Sequence, residues 1–126
     1  MSVAALNFVD KNMEKIGVPY RFYKWDVKPP DDYYCVGESY TEIPIPHKEE
    51  SGHHETVLYL RLYTRKNPLV LEQAKEKIEK HFNMTAILED GTGIAVSCEN
   101  PMIVRTGDNE LKSMKINLKI QEWKVN

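Results

Sequence analysis

The sequence predicts an α+β domain, a mostly antiparallel sheet with two helices packed on one face. One observation is a strand pattern at residues 56–64, where Leu58, Leu60 and Leu62 alternate with side chains that point the other way. The other is an apolar stripe at helical spacing just after it, formed by Leu71, Ala74, Ile78 and Phe82. Each apolar surface must be buried, and the simplest way is for the helix stripe to pack on the leucine face of the strand.

Cap residues predict where both helices begin. Ser2 precedes a first helix, and its hydroxyl can accept a hydrogen bond from a free N–H of the first turn. Gly17 and then Pro19 end that helix. Asn67 and Pro68 predict the start of the second helix, as a polar cap and a ring that fixes φ. The predicted apolar side of the first helix consists of Leu6, Val9, Met13 and Ile16.

Two aromatic strands are predicted after the first helix. Residues 20–25 form the first, and residues 33–36 form the second, which we predict to be its partner. Pro29-Pro30 separates them, because prolines cannot donate to a strand ladder. Gly37 then allows a β-bulge or bend.

Residues 42–55 show neither the two-residue period of a strand nor the 3.6-residue period of a helix. The prolines of 43–46 disfavour a helix, and residues 47–55 are polar with one glycine. We therefore predict a long exposed loop or an irregular hairpin arm between two strands. Connections of this length are uncommon in compact domains unless they have a function.

The C-terminal third predicts strands. A hairpin is expected at residues 85–89 and 93–98 around Asp90-Gly91. Residues 102–105 either continue its second strand or form a separate one, and residues 113–123 alternate as a last strand. The predicted order is α-β-β-loop-β-α-β-β-β in a single domain, residues 1–126.

Composition excludes several classes of function. The chain has 17 basic and 19 acidic residues and a formal charge of −2, which argues against an electrostatic nucleic-acid binder, and we expect no sequence-specific nucleic-acid partner. It has no apolar run near the roughly 20 residues that span a bilayer and no N-terminal leader, so neither a membrane partner nor export is expected. Its two cysteines, Cys35 and Cys98, are interpreted as reduced thiols, with a disulfide or redox pair as the alternative.

Two groups of residues could carry metal chemistry. Three histidines and three glutamates lie close together within residues 47–55, but neighbouring side chains in a loop diverge, so a solvated loop is the better interpretation. Glu110-x-Lys112 and Glu122-x-Lys124, with Asp90 or Asp108, match half of a metal-dependent nuclease site at a spacing that occurs by chance. No activated nucleophile or phosphate-binding glycine loop is present. We predict no catalytic residue, cofactor or metal, and no enzyme; a small metal-dependent nuclease remains the alternative.

Aromatic and basic side chains point to an interface. Tyr59, Arg61 and Tyr63 face away from Leu58, Leu60 and Leu62, and tyrosine and arginine are enriched at protein interfaces. The alternatives are a half-exposed sheet face, or a face covered by the first helix or the long loop. We predict an oligomer or partner interface formed by these three residues and by the polar segment, with His47, Glu49, Glu50, His53 and His54.

The order of elements resembles a known family. A proline pair precedes the aromatic stretch Tyr33-Tyr34-Cys35-Val36, and a strand ending in Leu62-Tyr63-Thr64 precedes an acidic-basic helix, a hairpin and a long last strand. From about Val3 to Trp123 this pattern resembles the tail-completion (tail-terminator, head-tail joining) proteins of long-tailed bacteriophages and prophages. The histidine- and glutamate-rich segment has no counterpart in that pattern.

The resemblance implies a non-enzymatic structural protein. Such proteins form a ring, commonly a hexamer, that caps the head-proximal end of the tail tube and joins tail to head. The implied partners are other copies of the chain, the tail tube protein and the head-tail connector protein. The implied location is the host cytoplasm during virion assembly and then the virion tail. A small α+β binding module unrelated to phage is the remaining alternative.

Overall fold

The computed structural model describes residues 1–43 and 53–124. Its strands form one six-stranded sheet in the order β1-β2-β3-β6-β5-β4. Neighbouring strands are antiparallel, except that β1 and β2 are parallel. The elements are α1 (Val3–Lys15), β1 (Tyr20–Phe22), β2 (Tyr34–Ile43), β3 (His54–Thr64), α2 (Leu69–His81), β4 (Met84–Ile87), β5 (Gly93–Arg105) and β6 (Lys112–Trp123). The predicted α+β class and element order are confirmed.

Both helices pack on one face of the sheet. Leu58, Leu60 and Leu62 of β3 are fully buried there, and α2 covers them with the predicted stripe of Leu71, Ala74, Ile78 and Phe82. From α1 the buried residues are Ala5, Val9 and Met13. Val9 and Met13 of the predicted stripe are among them, and Ile16 is half-buried and packs against the same core, whereas Leu6 is half-buried and does not belong to it. Either set fits a 3.6-residue period, and the angle at which the helix docks selects between them.

The helix ends follow the predicted caps. Ser2 Oγ accepts from Ala5 N at 3.1 Å and donates to Glu122, a buried residue at the end of β6. Gly17 follows α1 with φ +75°. At the second helix Asn67 Oδ1 accepts from Leu69 N at 2.9 Å, and Pro68 already has helical dihedral angles. Ser2 thus joins α1 to β6, the central strand farthest from it in sequence.

The strand bounds differ from the prediction in two places. β1 ends at Phe22 rather than residue 25, because Tyr23 has φ +75° and turns the chain. The connection between β2 and β3 is shorter than predicted, since the strands still pair at Ile43 and Glu55. Polar residues there do not prevent strand pairing, because this half of β2 is exposed on both faces. Residues 44–52 lie outside the described part.

The C-terminal strands follow the sequence closely. Leu88 N donates to Thr92 O at 2.7 Å and closes the predicted turn, in which Gly91 has φ +86°. β5 continues through residues 102–105 after a bulge between Glu99 and Met102, so the two predicted segments form one strand. No helix of the described residues is long and apolar enough to cross a membrane.

A bulge at Gly37 yields the first testable prediction. The register of β2 on β3 shifts between Gly37 and Ser39, and a Cβ on Gly37 would overlap Tyr20 Oη and lie 3.3 Å from Phe22 Cδ1. Tyr20 is buried, so we expect Gly37→Ala to lower the free energy of unfolding by about 1–3 kcal/mol in urea titrations. Ser39→Ala, at an exposed site on the same strand, is the control. Equal midpoints for both variants would contradict this packing.

Candidate interaction surface

The sheet surface that faces away from both helices, here called the outer face, carries the predicted interface residues. Tyr59, Arg61 and Tyr63 occupy alternate positions of β3 there, and each is half-buried. Because α1 packs on the opposite face, the alternative that the first helix covers these residues is wrong; the alternative that the long loop covers them concerns residues 44–52, which lie outside the described part. The structure therefore brings the three β3 residues of the prediction together on one surface.

Glu38 connects two of these residues. It projects from the bulge that follows Gly37, and its Oε2 accepts from Tyr63 Oη at 3.1 Å. Its Oε1 lies 3.4 Å from Arg61 Nε, an ion pair without a hydrogen-bond angle. Arg61 Nη1 reaches Ser113 Oγ of β6 at 3.5 Å. Arg61 is therefore held close to the sheet, at 22% side-chain exposure.

Aromatic rings extend this network toward the β1 side of the sheet. The rings of Tyr63 and Tyr34 are stacked with centroids 5.2 Å apart, and Trp25 meets Tyr34 edge-on at 5.9 Å. Trp25 Nε1 donates to Cys35 O at 3.1 Å, and the guanidinium of Arg21 lies 5.1 Å from the Trp25 ring centroid. Aromatic side chains that are fixed in this way offer a partner a large contact area, and little side-chain entropy is lost on binding.

On the β6 side the outer face carries lysines with local partners. Lys115 Nζ lies 5.1 Å from the centroid of the Tyr59 ring, a cation–π contact. Lys119 Nζ lies 3.0 Å from Glu55 Oε1. Arg61 is paired with Glu38 and Lys119 with Glu55, whereas the partner of Lys115 is an aromatic ring. The outer face thus combines aromatic rings with paired charges, which suits a protein partner better than a phosphate backbone.

The Tyr63 hydroxyl gives a pH-dependent prediction. Burial and the adjacent Glu38 carboxylate raise the pKa of Tyr63 from 10.0 to about 12. The unfolded chain releases this proton at a lower pH than the folded one, so the contribution to stability is complete below pH ~10 and is lost as the pH rises to about 12. We expect Tyr63→Phe to remove a late-titrating phenol from the ultraviolet absorbance curve of the folded protein. The exposed Tyr23→Phe is the control, and identical curves for both variants would contradict the contact.

The sheet has two edges that are only partly paired. β1 covers residues 35–37 of β2, and β4 covers residues 93–96 of β5. Among the residues that the structure describes, no strand pairs with residues 38–43 of β2 or 97–105 of β5 along their outer sides. These two segments, the open edges, expose rows of backbone N–H and C=O groups that can pair with another strand.

The histidines of the prediction lie apart from the tyrosines. His54 begins β3, and Tyr63 lies nine residues further along, about 30 Å away on the strand. His53 immediately precedes it, while His47, Glu49 and Glu50 lie outside the described residues. Four residues of this surface were not predicted from the sequence, namely Glu38, Tyr34, Trp25 and Lys115. Glu38 adjoins the predicted bulge, which was the one available signal for its orientation.

The acidic residues of the nuclease alternative do not converge. Glu122 is buried beside Ser2, and Asp90 Oδ1 accepts from Thr92 N at 3.0 Å within its turn. Asp108 accepts from Glu110 N at 2.9 Å; this bond and Arg65 at 3.1 Å lower the pKa of the Asp108 carboxyl. In residues 1–43 and 53–124, no group of three or more His, Cys, Asp or Glu residues could hold a metal ion.

The two cysteines are free thiols on different strands. Cys35 is buried on β2, and Cys98 is half-buried on β5 beside α2. Burial raises the pKa of both thiols, that of Cys98 to about 11. Neither has the lowered pKa of a reactive cysteine.

No protein-family model matches the chain, and a search of curated proteins finds no match either.

Proposed function

We propose that this chain is a phage tail-completion protein, a non-enzymatic structural protein that caps the head-proximal end of the tail tube as a ring and joins tail to head. The observation that carries the proposal is an aromatic sheet face that neither helix of the described residues covers, on a sheet with two different open edges. The fold agrees with the element order on which the resemblance to that family rests.

The edges support the ring. They lie on opposite sides of the sheet and differ in sequence, so a contact between them is head-to-tail. A head-to-tail contact repeats from copy to copy and closes into a ring when the rotation permits. The formal charge of −2 is compatible with a ring through which DNA passes without being retained.

In the proposed ring, the outer face is the surface that binds the tail tube protein. If neighbours in the ring meet at the sheet edges, the broad face between those edges stays available to a different protein. Tyr59, Tyr63 and Arg61 are the residue types that dominate binding energy at interfaces, and their contacts fix them before binding. The connector protein and the location in the virion tail follow from the resemblance.

Two measurements test this function. Light scattering at rising protein concentration should show a closed oligomer, and the protein should co-sediment with isolated tail tubes that lack it. A monomer at all concentrations that never binds tubes would overturn the proposal. An oligomer that ignores tubes would indicate a binding module unrelated to phage. Magnesium- or manganese-dependent DNA cleavage that is lost in Glu110→Ala would instead indicate a nuclease.

A further inference from the structure

We propose that one copy of the chain adds its open β5 edge to the open β2 edge of the next copy, so that the two sheets join in one antiparallel ladder. The pairing strands are residues 40–43 of β2 and residues 102–105 of β5. This inference rests on the self-association in the proposed function and names the surfaces that carry it.

Both half-strands are exposed on their two faces as well as along one edge. In β2 the residues from Ser39 to Glu42 are exposed, although Cys35 and Val36 of the same strand are buried. In β5 the residues from Glu99 to Ile103 are exposed in the same way. Each half contains β-formers with large exposed apolar groups, namely Tyr40 at 41%, Met102 at 57% and Ile103 at 56%. Long exposed edges of this composition favour pairing with another chain.

The short outer strands leave room for this pairing. Along the sheet, β1 covers β2 at the level of Met114 to Ile116 in β6, and β4 covers β5 at the level of Ile120 to Trp123. We call the end of the sheet near Lys112 of β6 the upper end and the end near Trp123 the lower end. The open part of β2 therefore lies toward the lower end, and the open part of β5 lies toward the upper end. A second copy displaced downward along the strands can place its β5 below β1, and its own β4 then passes below the end of β2.

Strand direction agrees with this arrangement. β2 and β5 run in opposite directions, because three successive antiparallel pairings separate them. Two copies in the same orientation therefore bring β2 and β5 together as antiparallel strands. No rotation within the sheet plane is needed, and a head-to-tail contact of this kind repeats from one copy to the next; the rotation about the strand direction decides whether the copies close into a ring.

One register keeps the faces matched and avoids the proline. Thr41 and Ile43 are on the outer face, as are Val104 and Met102; Tyr40 and Glu42 are on the helix side, as are Arg105 and Ile103. Thr41 opposite Val104 places Ile43 opposite Met102 and leaves Glu42, which is ion-paired with the Met1 ammonium of its own copy, diagonal to Arg105 of the second copy. Pro101, which lacks an N–H, then lies beyond the end of the ladder.

Mixed cysteine variants test the pairing. Thr41→Cys and Val104→Cys are made separately in a Cys98→Ser background, since Cys35 is buried. Mild oxidation of a one-to-one mixture should give disulfide-linked dimers at least tenfold more than either variant alone. Each molecule in the mixture carries only one of the two engineered cysteines, so no internal bridge between them can form. The control replaces Val104→Cys by Glu76→Cys, at an exposed site on α2.

A charge on the edge provides the second readout. Ile103→Asp, at 56% exposure, should keep the circular dichroism spectrum and reduce the mixed dimer at least tenfold. Val27→Asp, at 61% exposure and off both edges, should leave the yield unchanged. Dimers from either cysteine variant alone, or a mixed yield no higher than the Glu76→Cys control, would overturn the edge pairing. Tube binding without the mixed dimer would reject this pairing alone, and the mixed dimer without tube binding would reject the tail function alone.

Discussion

We expect the Leu60→Asp chain not to fold. Leu60 is fully buried in β3, between β2 and β6 and beneath the helices. Its replacement removes an apolar side chain from the core and places a carboxylate where, among the described residues, no lysine, arginine or histidine is buried. The expected loss is at least about 5 kcal/mol, which is comparable to the whole stability of a domain this size.

The measurement is far-ultraviolet circular dichroism with a urea titration of the soluble protein. Leu69→Asp is the matched control, because the same substitution there falls on the first residue of α2, where Leu69 is 59% exposed. An acidic residue at a helix N-terminus interacts favourably with the helix dipole, so this variant should be as stable as the parent. A cooperative transition of Leu60→Asp near the parent midpoint would contradict the assigned core.

Much of the fold could be predicted because period-two and period-3.6 patterns directly report which side chains are buried. The alternation in β3 and β6 and the stripe of α2 gave the central layers, and Gly37 and Asp90-Gly91 gave the bulge and the turn. The ends of β2 were harder. Glu42 and His54 are exposed polar strand residues, so local composition carries no signal of strand pairing.

The interaction surface could be predicted only in part. Outward-facing residues on a strand follow from alternation alone, and for this reason Tyr59, Arg61 and Tyr63 were found together. Glu38 and Trp25 depend on a bulge and on a left-handed turn at Tyr23, which rotate side chains out of the simple pattern. The open edges depend on strand order, and strand order is a property of long-range pairing that periodicity does not encode.

The outer face leads to the prediction with the largest effect on binding. Tyr63→Ala removes a ring stacked on Tyr34 at 5.2 Å and a hydroxyl that holds Glu38 at 3.1 Å. With that contact gone, Glu38 and Arg61 lose a fixed neighbour, so the surface loses both contact area and preorganisation. If the proposed function holds, we expect affinity for tail tubes to fall about 10- to 70-fold, the range of an interface hot spot of roughly 1.5–2.5 kcal/mol.

Folding should suffer less than binding, because Tyr63 is half-buried on a face that no helix covers. Tyr33→Ala is the matched control: Tyr33 is also half-buried and donates one hydrogen bond, to Gly17 O, but it packs on the helix side. Sedimentation with tubes and urea titration of both variants separate the two effects. Tyr33→Ala should lose stability with its tube affinity intact, whereas equal losses of stability and affinity in Tyr63→Ala would make Tyr63 part of the core. Tyr63→Phe keeps the ring and removes the hydroxyl, so an affinity between those of Tyr63→Ala and the parent would divide the effect between stacking and the Glu38 contact.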